Sequence, residues 1–342
     1  MPRPAAAPSP PGPGPPPPPR APRVRHLPPC TEPAERLAAA AARLSLRCTF
    51  KLWIGPPFPA GLQRAVVHGL SLLMPPGHGV EVCAERLAGP GGVVPAERIL
   101  PAGRRPPRAL LYLHGGAFCI CNPRTHRAIT TRLARLADAQ VLVPRYRRAP
   151  EHPFPAQIED GVAAYRQLLA DGFAPGQIAI AGDSAGGTLA LLVPLALRRL
   201  ELPLPGALVL MSPLTDTRLQ APSLQERRRR DPMLRTAWAE QAGRWYAIDW
   251  EHPLANPMQS ELDGLPPTLV QVCEDEILYD DSIAFARRSA EAGNEVELEI
   301  IPDRWHVFQM QAGLLPSAAQ ALQRQADFLR RHGFTSQLET RP

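Results

Sequence analysis

The sequence predicts an α/β fold with a mostly parallel sheet flanked by helices, and three observations carry that prediction. From about residue 109 onward, short apolar runs that read as buried strands alternate with helical segments, the pattern of parallel strands covered on both faces. Glycine-rich strings, 114–118 and 182–187, follow two of those runs directly. One stretch, 217–261, interrupts the alternation with no apolar strand but with Trp238, Trp245, Tyr246 and Trp250, as expected of a helical insertion over the carboxyl edge of the sheet, where open α/β sheets bind ligands.

The elements follow in order. An Ala-rich helix is expected over 35–46, and apolar spacing of three and four predicts a second over 62–74. β-like runs occupy 80–87 and 97–100, and a fully apolar strand 109–113. Then come a helix over 124–137, a strand over 140–143, a helix over 158–170, a strand over 177–181 and a helix over 185–200. Strands at 207–211 and 268–272 bracket the insertion. A helix over 282–292, a strand over 295–301 and a closing helix over 318–331 complete the series.

The chain has 342 residues, enough for one large α/β domain. Of its 44 prolines, 14 fall in the first 30 residues, which are read as a disordered, polyproline-like tail. Residues 31–79 are expected to supply helices to a cap, 80–216 and 262–335 the core, and 217–261 the cap insertion. The net charge of +6 owes four units to the tail, and 37 of the 38 basic residues are Arg, with Lys51 the exception. Without a basic stripe, nucleic acid is not an expected partner. The longest apolar runs, such as 189–193, fall far short of the roughly 18 residues of a membrane span, and no apolar signal region follows Met1. Six scattered cysteines suggest reduced thiols in a cytoplasmic protein, with the Cys119/Cys121 pair packing in the core rather than binding metal.

The string Gly182-Asp183-Ser184-Ala185-Gly186-Gly187 places a G-x-S-x-G pattern between a strand and a helix, the context a nucleophile elbow requires. Glycines at 182 and 186 answer a steric need, because side chains there would collide on so sharp a turn. His114-Gly115-Gly116-Ala117-Phe118 follows the 109–113 strand, and its paired glycines let backbone N–H groups approach a developing oxyanion. Gly115 and Gly116, with Ala185, are the expected donors. A base and an orienting acid should follow the serine in chain order. Three histidines do so, and His306, just past the last strand, is the best placed; His252 lies in the insertion and His332 in the terminal segment. Asp275, beyond the 268–272 strand, is the favoured acid, with Glu274, Glu276, Asp280 and Asp281 as competitors. Phe118, Trp238 and Trp245 are candidates for an apolar substrate pocket.

The strings HGGAF at 114–118, YRRAPEHPFPAQIED at 146–160, GDSAGG at 182–187, QVCEDEILYDDS at 271–282 and WHVFQ at 305–309 together resemble the hormone-sensitive-lipase-like family of α/β-hydrolases, which includes many bacterial esterases, acetyl hydrolases and lactone hydrolases. The resemblance implies an α/β-hydrolase fold with a helical cap, a Ser184–Asp275–His306 triad, and Gly115, Gly116 and Ala185 as backbone donors. It also implies hydrolysis of short to medium acyl esters or lactones of small molecules, with no cofactor and no metal. A small-molecule ester is the expected partner, and a homodimer is left open. Three departures stand out: Ala117 replaces a third glycine, Arg148 an apolar residue, and Glu274 a small residue beside the acid. Two rival readings keep the fold: an amidase or deacetylase with the same triad, and a non-catalytic receptor, which would have lost the histidine.

Overall fold

The computed structural model describes residues 20–333. Its centre is a nine-stranded sheet of order β1-β9-β8-β7-β6-β4-β5-β3-β2 among these residues. The strands are β1 (Arg23–His26), β2 (Val80–Gly89), β3 (Gly92–Pro101), β4 (Ala109–Leu113), β5 (Gln140–Pro144), β6 (Ile178–Asp183), β7 (Ala207–Met211), β8 (Thr268–Cys273) and β9 (Val296–Ile301). From β1 across to β5 all pairings are parallel; only the β2–β3 hairpin and its junction with β5 are antiparallel. Strands β4 to β8 are buried at every residue, which explains why they read as continuous apolar runs rather than alternating ones.

The helices are α1 (Pro33–Cys48), α2 (Phe50–Trp53), α3 (Ala60–Ser71), α4 (Arg127–Leu136), α5 (Ala156–Ala170), α6 (Ala185–Arg199), α7 (Ser223–Glu226), α8 (Thr236–Tyr246), α9 (Tyr279–Glu291) and α10 (Pro316–Phe328). Helix α6 is buried from Ala185 to Leu197 and continues through Pro194, so it forms the central support behind the elbow. Residues 217–261 are helical where regular, and they sit between β7 and β8. No helix among the described residues is long and apolar enough to cross a membrane.

The expectation of a disordered tail over residues 1–30 needs correction at its end. Residues 1–19 lie outside the described residues, but Arg23–His26 pair in parallel with β9 as an edge strand. The free edge of β9 offers unpaired backbone groups, and Glu295 and Glu299 lie 3.7 and 3.8 Å from Arg23 and Arg25. Basic residues in the sequence tail thus meet acids of the sheet edge. Their charge is used locally.

Candidate active site

The carboxyl ends of β4, β6, β8 and β9 bring together the HGGAF loop, the GDSAGG elbow, the acid run after residue 273 and the histidine segment. Ser184 turns between β6 and α6 with φ 54° and ψ −125°, a sparsely populated backbone region for a non-glycine residue. A Cβ on Gly182 would lie 2.1 Å from the carbonyl oxygen of Gly186, and one on Gly186 would lie 2.0 Å from that of Leu113. The elbow is therefore possible only with glycine at both positions. The Ser184 N–H donates to Met211 O at 2.8 Å, which locks the turn onto β7.

His306 lies five residues beyond β9 and is 3% exposed. Its Nδ1 faces Glu276 Oε2 at 2.7 Å, and Glu276 is fully buried. The other Glu276 oxygen accepts from Cys273 N–H at 2.6 Å and Ser212 O–H at 2.9 Å, so the carboxylate folds back under the end of β8 with its acceptors filled. Asp275, the expected acid, points elsewhere: it accepts from Arg43 of α1 at 2.9 Å. The chain turns immediately after Cys273, so the third acid of the run, not the second, comes back beneath the strand, and the longer Glu side chain reaches the ring. Glu274 does not turn toward the imidazole; its backbone joins Ile301 O, and its carbonyl accepts from Arg227. His252 accepts from Leu254 N–H and packs edge-on against Phe154, and His332 lies beside Glu295 and Glu297.

Burial lowers the His306 pKa, but the hydrogen bond and charge of Glu276, with the charges of Asp231 and Asp183, outweigh it and raise it above the ordinary value. Asp231 belongs to the insertion and is fully buried; its carboxylate accepts the N–H groups of Met233, Leu234 and Ile277. It thus ties the wall of the site to the residue after Glu276. The histidine loop is held from the other side by Arg304, whose guanidinium reaches Glu35 Oε1 and Ser317 Oγ, each at 2.9 Å. Helix α1 therefore pins both the histidine loop, through Glu35, and the acid turn, through Arg43.

The HGGAF loop differs from expectation in one donor. Gly115 N–H is already used, donating to Asp183 Oδ1 at 3.0 Å, so it cannot face an oxyanion. Asp183 also accepts from Tyr112 O–H at 2.7 Å and contacts His126 Nε2 at 3.2 Å. Burial would raise the Asp183 pKa, but His126 and Tyr112 hold it below the ordinary value. This buried network, absent from the sequence reading, fixes the start of the loop to the residue before Ser184. Among the described residues, the N–H groups of Gly116, Ala117 and, at the start of α6, Ala185 have no acceptor. Ala117 is thus a free donor where Gly115 was expected. Arg148, a departure from the family string, donates to Cys121 O at 2.7 Å and braces the loop's far end. Cys119 and Cys121 are buried in the core, their thiols pushed up to about 12 mainly by burial.

Two cavities meet at Ser184. One, of about 440 Å³, is bordered by Ser184, His306, Gly116 and residues of α1, α3 and the insertion. The other, of about 60 Å³, is bordered by Ser184, Ala117, Ala185, Phe118 and Tyr246. Phe118 stacks on Tyr246 with ring centroids 3.9 Å apart, and Trp238 borders both cavities. Trp245 borders neither; it is half-buried against the core, next to cavity-lining Tyr246 but off the face of α8 that Trp238, Ala242 and Tyr246 share. The Arg227–Arg230 run of the insertion uses the carbonyls of Arg228, Arg229 and Arg230 to receive Lys51, Arg47 and Arg43. Arg227 itself lies 3.8 Å over the Tyr279 ring.

Residues 110–310 match a family described as having the α/β-hydrolase fold. An acetyl-hydrolase of Streptomyces hygroscopicus is 42% identical over 248 residues, 70% of this chain and 83% of that protein. An esterase of Acinetobacter venetianus is 38% identical over 78% of this chain and 87% of its own. The crystal structure of an esterase from the bacterial hormone-sensitive lipase family superposes with a TM-score of 0.79 at 38% identity, covering 88% of this chain and 99% of that one. The elbow, the glycine loop and the buried histidine–carboxylate pair agree with these likenesses: the chain belongs to the α/β-hydrolase fold family, in the hormone-sensitive-lipase-like branch of ester-hydrolysing enzymes.

Proposed function

We propose that the protein is a serine carboxylesterase acting on small-molecule esters through an acyl-enzyme on Ser184. The observation that carries this reading is the buried contact of His306 Nδ1 with Glu276, which leaves Nε2 to face the cavity that Ser184 also borders. With Nδ1–H donated to the carboxylate, Nε2 is an acceptor and can take the serine proton. Ser184 Oγ then attacks the ester carbonyl carbon. The developing oxyanion is held by the N–H groups of Gly116, Ala117 and Ala185, which have no competing acceptor. The bond from the carbonyl carbon to the alcohol oxygen breaks as His306 returns the proton to that oxygen. Water attacks the acyl-enzyme in the same way, losing a proton to His306, which passes it to Ser184 as the carboxylic acid leaves. Every atom and proton is accounted for without a cofactor.

Helices α1 and α3 and the insertion act as a cap over the site, restricting substrates to small esters or lactones. All six cysteines are free thiols, which fits a reducing cytoplasm. The test is turnover of p-nitrophenyl butyrate with wild type and Ser184→Ala, together with intact-mass detection of a butyryl adduct after rapid quenching. Loss of turnover by about 10⁴-fold or more, with the adduct only on the wild type, is expected. An alanine variant with wild-type turnover would sink the assignment.

A further inference from the structure

The two cavities beside Ser184 are unequal in size and in what borders them. The larger is about 440 Å³ and the smaller about 60 Å³. Ser184 borders both, but His306 borders only the larger. This asymmetry assigns the two halves of a substrate, given the serine-esterase reading above. When an ester acylates a serine, the alcohol oxygen must receive its proton from the imidazolium as the carbonyl carbon–oxygen bond breaks. The alcohol must therefore lie on the His306 side, in the larger cavity. The acyl chain stays bonded to Ser184 and extends the other way, past the free N–H groups of Ala117 and Ala185, into the smaller one. The alcohol leaves by the larger cavity, and the deacylating water enters where His306 can take its proton.

Size and lining then define the substrate class. At roughly 10–15 Å³ per water-sized group, the smaller cavity of about 60 Å³ holds about four to six such groups. Phe118, Tyr246, Trp238 and Ile248 close it with rings and branched carbon. The larger cavity falls in the range of about 300–1,000 Å³ typical of small-molecule sites. Its walls are mainly apolar, with Ala, Leu and Met prominent, and among the described residues no Lys or Arg borders it, so a phosphorylated or otherwise anionic alcohol would lose its hydration without gaining a counter-charge. We propose that the physiological substrates are esters joining an acyl group of about two to six carbons to a bulky, uncharged, mainly apolar alcohol.

Two ester series test the assignment in the full-length protein, followed by pH-stat so that no chromogenic leaving group is needed. One holds hexanol constant and lengthens the acyl group from acetyl through butanoyl to octanoyl. The other holds acetyl constant and enlarges a primary alcohol from ethanol through hexanol to 2-cyclohexylethanol. The expected result is a kcat/KM for octanoyl at least about tenfold below butanoyl, and one for 2-cyclohexylethyl acetate at least about tenfold above ethyl acetate. Ala239→Leu, which fills the smaller cavity from α8, should lower butanoyl relative to acetyl by about tenfold and leave the order of the alcohols unchanged. Ile248→Ala, which widens the same cavity, should narrow the gap between butanoyl and octanoyl. Preference for long acyl chains and small alcohols, or an Ala239→Leu variant that changes alcohol preference instead, would overturn the assignment of the two cavities. Ser184→Ala separates the levels of failure: if it abolishes turnover while the preferences are inverted, only the cavity assignment falls, whereas retained turnover removes the esterase reading itself.

Discussion

The turn after β6 and the turn after β8 each deliver one functional group to the same site, but they are specified in opposite ways. At the elbow the backbone leaves no choice. Ser184 needs a positive φ, and a single Cβ on Gly186 would enter the Leu113 carbonyl at 2.0 Å. At the acid turn three carboxylates stand in a row, Glu274, Asp275 and Glu276, each chemically able to hold an imidazole. Which one does so depends on partners far away in the chain: Ser212 beside Glu276, and Arg43 of α1 beside Asp275. Steric necessity is local and leaves a mark in the sequence. A choice among equivalent side chains is made by tertiary contacts and leaves none.

That contrast can be broken first at the elbow. Gly186→Ala should destabilise the fold by more than about 4 kcal/mol, or prevent soluble expression, because the clash is with backbone that cannot move without opening the β4–β6 junction. Thermal denaturation of Gly186→Ala beside Asp275→Asn is the measurement, with only a small shift expected for the latter, whose ion pair with Arg43 is partly exposed. Equal melting temperatures for Gly186→Ala and wild type would show that the turn is less constrained than its geometry implies.

A smaller effect sharpens the acid turn through pH. On the proposed mechanism His306 must be neutral to accept the serine proton, and its pKa is raised above 6.5 because Glu276, Asp231 and Asp183 outweigh the effect of burial. Catalysis should therefore fall away on the acid side with a midpoint above pH 6.5, and Glu276→Gln should move the midpoint of its residual activity to lower pH. A wild-type midpoint below 6.5 in the pH dependence of kcat/KM would contradict the charge arrangement around the ring.

Much of the molecule was legible for the same reason the elbow was. The buried strands β4 to β8 announce themselves as apolar runs, and the alternation with helices implies the parallel sheet. Ser184, Gly116, Ala185 and His306 all border the two cavities at the carboxyl edge of the sheet, the region to which their motifs point. The failures share one physical feature, dependence on partners distant in sequence. Gly115 has the residue type of an oxyanion donor, but the Asp183 carboxylate captures its N–H, and in the proposed mechanism Ala117 takes that place. Asp183 sits inside the GDSAGG string, so its proximity to the site was visible, but its bond to the loop after β4 was not. Trp245 shares an aromatic-rich helix with Trp238 yet borders neither cavity. Residues 23–26 carry no strand-like apolar pattern; the exposed edge of β9 and its glutamates make them a strand.

The central claim is that Glu276, and not its neighbour Asp275, orients the base. The most direct test is kcat/KM on p-nitrophenyl butyrate for Glu276→Gln and Asp275→Asn, both confirmed folded by circular dichroism. Glu276→Gln should fall by about 10³ to 10⁴-fold, the scale seen when the carboxylate of a serine triad is replaced by an amide. Asp275→Asn should stay within about threefold of wild type, since it alters an ion pair at the edge of the site. The reverse pattern, with Asp275→Asn crippled and Glu276→Gln nearly intact, would contradict the account.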